Sequence, residues 1–140
     1  AVLTRPRRGP QARGMSYREK GIEGLADLDG AERTAFGGLV RLMIGLDGNF
    51  SAEEEQALEM VSSRLGAPDA FWDMLDAAAE EIDSPEGARS WAERVKRQPV
   101  RELIYVSLAE IAMAEGIDVA EASLLDELRA MWGIVESPVE

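Results

Sequence analysis

Apolar residues recur along this chain at spacings of three and four, the period of an α-helix with one face turned inward. Phe36, Leu39, Val40, Met43 and Leu46 form one such stripe, and Leu58, Val61 and Leu65 a second. Phe71, Trp72, Leu75, Ala79 and Ile82 follow, then Val100, Leu103, Ile104, Leu108 and Ile111. Leu124, Leu125, Leu128 and Trp132 make the last. Two shorter segments carry Ile22, Leu25 and Leu28 at a spacing of three, and Trp91 with Val95. The run from Ile104 to Leu108 also suits a strand, but the helical spacing continues through Ile111 and no partner strand is visible.

The polar punctuation agrees. Asp29 and Glu32, Ser51 and Glu54, and Asp118 and Glu121 each have the spacing of a capping box, in which two residues satisfy the first N–H groups of a helix reciprocally. Pro68, Pro85 and Pro99 open helices where a missing N–H costs nothing. Gly66 and Gly133 stand where a helix-terminating glycine belongs. The expected architecture is all-α: a compact bundle of about seven helices with short connections. Gly37-Gly38 falls inside a helix, at a cost of ~1 kcal/mol each against Ala, which a close helix crossing would explain. The three tryptophans, Trp72, Trp91 and Trp132, fall on apolar stripes and read as core or subcore. Met60, Met74, Met113 and Met131 are spread over several helices and read as gap-fillers rather than a binding face.

Composition narrows the chemistry. Of 140 residues, 27 are acidic and 15 basic, a net charge of −12, so the body repels phosphates and is not a nucleic-acid binder. There is no histidine and no cysteine, which removes Ser-His and Cys-His catalysis, thiolate metal sites and disulfides. The longest uncharged stretches, Thr34–Val40 and Leu103–Ala109, are too short for a membrane span. No apolar run follows the N-terminal arginines, so no signal peptide is expected and the chain reads as cytoplasmic. Residues 1–14 mix Arg, Pro and Gly, and form either a tail foreign to the fold or a basic arm for an anionic surface. The folded domain is expected over residues 15–135, with a C-terminal tail over residues 136–140.

Residues 39–66 and 107–133 resemble each other. Val40 pairs with Leu108, Met43 with Ile111, Asp47 with Glu115 and Gly48 with Gly116. One residue is then lost from the second copy. Ser51 pairs with Asp118, Glu54 with Glu121, Leu58 with Leu125, Val61 with Leu128, Leu65 with Trp132 and Gly66 with Gly133. Each copy reads as apolar helix, acidic residue with glycine, tight turn, capping box, apolar helix and terminal glycine.

Three stretches carry a wider likeness: IGLDGNFSAEE, DSPEGARSWAERVKRQPVRELIYVSLAEIA and MAEGIDVAEASLL, covering roughly residues 35–133. In their order and spacing the chain resembles the TerB-like domains, named after tellurite-resistance proteins. That resemblance implies an all-α body of about seven helices around a pseudo-twofold, a stress-response adaptor or scaffold role, and an acidic cation site. Carried over to this chain, the site is Asp47, Glu54, Glu115 and Glu121, with Ca²⁺ or Mg²⁺ as the hard cation that oxygen ligands suit. It is not an EF-hand, since the twelfth position from Asp47 is Leu58.

Each feature also has a plainer reading. Glu54 and Glu121 are accounted for as capping residues, and Asp47 and Glu115 as solvated turn residues. Arg94, Lys96, Arg97 and Arg101, the dense positive cluster of the body, read either as cations at a helix C-terminus or as a docking place for an acidic partner or phosphate. With no His or Cys and no long loops, the sequence points away from an enzyme. It leaves two functions: a cation-binding adaptor, or a cofactor-free helical protein-interaction module.

Overall fold

Helix α1 (Gly30–Gly45) carries the packing of the body. In the computed structural model, which describes residues 22–45, 51–114 and 116–134, three later helices lie against it. These are α3 (Pro68–Glu81), α4 (Pro85–Ala92) and α5 (Gln98–Met113). Helix α2 (Ala52–Arg64) packs on α3 and α5, and α6 (Val119–Trp132) packs on α5. Among the described residues there are six α-helices and no strand, so the all-α expectation holds. None of these helices is long and apolar enough to cross a membrane.

The apolar stripes read from the sequence form one core. Phe36, Leu39, Leu58, Leu103, Ile104 and Leu108 are fully enclosed in it. Phe36 meets Phe71 edge-to-face at 6.0 Å between ring centroids, a favoured aromatic geometry. Trp132 is buried and donates its indole N–H to the Ala92 carbonyl at 3.1 Å, so its one polar atom is satisfied. Trp72 and Trp91 sit half-buried at the core's edge. The Ile104–Leu108 run is helical and lies within α5.

Helix ends follow the residues that specify them. Pro68 and Pro85 occupy first turns, and the Ser84 hydroxyl accepts from the Gly87 N–H at 3.0 Å. After α2, Gly66 takes φ +79° and Ala67 N–H returns to the Ser62 carbonyl at 3.4 Å. After α6, Gly133 takes φ +67° and Ile134 N–H returns to Arg129 at 3.0 Å. Both endings have the left-handed residue and backward bond of a glycine-terminated helix.

The first expected helix differs. Over Ile22–Leu28 the chain makes a short 3₁₀ turn (Leu25–Asp27), not an α-helix. A spacing of three is the period of a 3₁₀ turn, and it suffices to bury Ile22, Leu25 and Leu28. The Asp27 carboxylate accepts from the Glu23 N–H at 2.9 Å and closes the segment on itself. Gly24 lies so close to the Leu65 carbonyl that a Cβ there would collide with it.

Gly37-Gly38 marks the close crossing expected from sequence. A Cβ on Gly37 would sit 2.8 Å from the Met74 carbonyl oxygen of α3 and 2.9 Å from the Ala78 Cβ. A Cβ on Gly38 would collide with the tip of the Ile82 side chain and make ordinary contact with the Ala88 Cβ. Backbone cannot yield as a side-chain tip can. Gly37→Ala is therefore expected to lower stability by about 1–3 kcal/mol despite a better helix propensity. Gly38→Ala should cost clearly less. Paired urea melts check this, and equal effects from the two substitutions would contradict the crossing.

Candidate functional site

The acidic positions come first, because the sequence singles them out. Asp47 and Glu115 lie outside the described residues. Glu54 and Glu121 are placed, and both are turned inward, with 2% and 3% of their surface exposed. Each completes a capping box. Glu54 Oε1 accepts from the Ser51 N–H at 3.1 Å, while Ser51 Oγ accepts from the Glu54 N–H at 3.0 Å. Glu121 Oε1 accepts from the Asp118 N–H at 3.2 Å, while Asp118 Oδ1 accepts from the Glu121 N–H at 2.8 Å. Among the described residues no group of three or more acidic side chains converges as a metal site.

The third capping box supports a longer connection. Asp29 and Glu32 cap α1 with reciprocal bonds of 2.8 Å. The buried Glu32 carboxylate also takes both arms of Arg97, from Nε at 2.8 Å and from Nη2 at 2.7 Å. The same Nη2 donates to the Asp27 carbonyl at 2.7 Å. Arg97 is the residue that opens α5, so one guanidinium ties the 3₁₀ turn, the start of α1 and the start of α5 together. Its hydrogen bonds hold the Glu32 carboxyl below its ordinary pKa against the opposing effect of burial, and the Asp29 N–H adds to the depression.

The rest of the positive cluster is mostly engaged within the body as well. Arg94 lies over the Trp91 ring at 4.1 Å, a cation–π contact. Arg101 donates to the Val95 carbonyl at 2.8 Å and to Gln98 Oε1 at 3.0 Å, and Gln98 in turn donates to the Trp132 carbonyl at 3.0 Å. Lys96 is exposed. Arg101 thus braces the α4–α5 connection, Arg97 joins the start of α5 to α1 and the 3₁₀ turn, and Arg94 stacks on its near neighbour Trp91.

A different surface stands open. Helices α2 and α5 border a groove of about 520 Å³. Its α2 wall is Glu53, Gln56, Ala57, Met60, Val61 and Arg64, which repeat at helical spacing beside the buried stripe. The α5 wall is Glu110, Met113 and Ala114. The short side chains of Ala57 and Ala114 leave space, and Met60 and Met113 border it. Arg64 closes one end through a 2.7 Å ion pair with Glu110.

Here the sequence reading of the methionines needs correction. Met74 is buried in the core as expected, but Met60 and Met113 are 67% and 41% exposed and line the groove. The signal was present. Met60 stands two residues after Leu58 and Met113 two after Ile111, so both fall off the main apolar stripe of their helix.

Compared with family models, with curated proteins and with solved structures, the chain matches none.

The Glu32–Arg97 connection gives a pH-dependent prediction. A carboxylate whose folded pKa is depressed contributes stability above its unfolded pKa of about 4.3, and that contribution is lost as the pH falls through the folded value. Arg97→Met is expected to destabilise the fold by about 1–3 kcal/mol near neutral pH. Part of that deficit should close as the pH is lowered through the carboxylate range. Thermal melts of both proteins over that range check it, and a deficit independent of pH would contradict the pairing.

Proposed function

We propose that this chain is a non-catalytic adaptor domain that binds a segment of another protein in the groove between α2 and α5. The observation carrying this reading is the pair of exposed methionines over a mostly apolar cleft on an otherwise highly charged body. Methionine is flexible and polarizable, and surfaces built from it adapt to varied apolar partners. The absence of histidine and cysteine from the sequence fits a role without covalent or imidazole chemistry.

The resemblance to TerB-like domains supports the same class of role and adds a stress-response setting. It also implies that the two hairpins are copies of one unit about a pseudo-twofold. The matched capping boxes of α2 and α6 and their matched glycine endings support that reading.

A divalent cation is the less favoured addition. Glu54 and Glu121 already accept backbone N–H groups at their helix starts, and a cation would compete with those bonds. A cation site would rest first on Asp47 and Glu115.

The adaptor reading is tested by blocking the groove. Ala57→Trp places a large ring in the cleft without touching a capping box. The parent protein, used as bait in extract of the cell it comes from, should retain a partner that Ala57→Trp loses while its helical circular dichroism is unchanged. A partner held equally by both proteins would contradict this use of the groove.

A further inference from the structure

From the charge around this groove we infer the chemistry of its occupant: a basic amphipathic helix of a partner protein, apolar on one face and rich in Lys or Arg along its flanks. This rests on the adaptor reading above and adds the partner's shape and charge.

Shape comes from the α2 wall. From Glu53 to Arg64 it runs about 17 Å, room for roughly three turns of a docked helix. A helix presents apolar side chains at i, i+3, i+4 and i+7, and a cleft between two helices accepts such a row. Ala57, Met60, Val61, Met113 and Ala114 supply the apolar floor and walls.

Charge decides the rest. Glu53 and Glu110 stand on opposite walls of the groove. Arg64, the one basic side chain of the lining, pairs with Glu110, which leaves Glu53 as the net negative charge of the groove itself. Residues 22–134 contain 24 acidic and nine basic side chains, so a basic partner is drawn to this body and an acidic one repelled. A second copy of the chain would bring the same negative field and is disfavoured as occupant. The chain's own basic segment, residues 1–14, carries Pro6 and Pro10 and only Val2 and Leu3 as large apolar residues. Its sequence has no large apolar residues at i, i+3, i+4 and i+7 to match the groove.

The test uses the full chain with methyl-labelled methionine and three synthetic peptides of about five helical turns. One is a Leu/Lys amphipathic helix, one a Leu/Glu helix of the same pattern, and one a Leu/Lys peptide shuffled to remove the apolar face. The Leu/Lys helix should shift the Met60 and Met113 methyl signals, and its affinity should fall with added salt. Ala57→Arg, and separately Met60→Lys at a well-exposed position, should each weaken it by about tenfold or more.

Preference for the Leu/Glu helix at the same signals would overturn the inferred charge and leave the adaptor reading standing. Equal effects from the shuffled peptide, or undiminished affinity in both variants, would reduce the effect to general attraction and overturn the inference. If no peptide moves Met60 or Met113, the inference and the adaptor reading both fall.

Discussion

Three helices of this body begin with a glutamate turned inward, and that device organises much else in it. The first N–H groups of a helix have no partner within the helix. Left unsatisfied inside a protein, each such donor costs about 1–3 kcal/mol. Glu32, Glu54 and Glu121 close the starts of α1, α2 and α6 in the same way, and all three are buried. At Glu32, whose carboxyl is held below its ordinary pKa by Arg97, the negative charge also favours the positive end of the helix dipole. At Glu32 the buried charge is matched by Arg97 from the start of α5, which fixes two helix origins against one another.

Acidity therefore has two meanings in this chain. The inward glutamates belong to the framework and are occupied by backbone N–H groups. The remaining acids lie mainly on the outer faces of the helices, where they set the sign of the field around the body. In that field a cleft lined by Ala57, Met60, Val61, Met113 and Ala114 is an exception.

Local signals made most of the fold legible. Capping boxes at Asp29, Ser51 and Asp118, prolines at 68, 85 and 99, and glycines at 66 and 133 are written within a few residues of the structure they specify. Gly37 is legible for a related reason, since a glycine inside a helix needs a close neighbour to justify it. The Arg97–Glu32 pair was not legible, because 65 residues separate partners that the fold alone brings together. Arg97 looked like part of a surface patch with Arg94, Lys96 and Arg101. The groove was missed because it is made jointly by two helices, each contributing residues beside its main stripe. The turn at Ile22–Leu28 shows a different failure, in which burial at a spacing of three does not distinguish a 3₁₀ turn from a helix. Of the four acids proposed from family likeness, Glu54 and Glu121 have their places in helix starts, while Asp47 and Glu115 lie outside the described residues.

We propose the α2–α5 groove, rather than the arginine cluster, as the place where a partner docks. Replacing Met60 with a photo-reactive phenylalanine analogue, and separately Arg94, tests it most directly by irradiation in the cell the chain comes from. The account predicts a discrete covalent adduct with a second protein from position 60 and none from position 94. An adduct from position 94 with none from position 60 would contradict it.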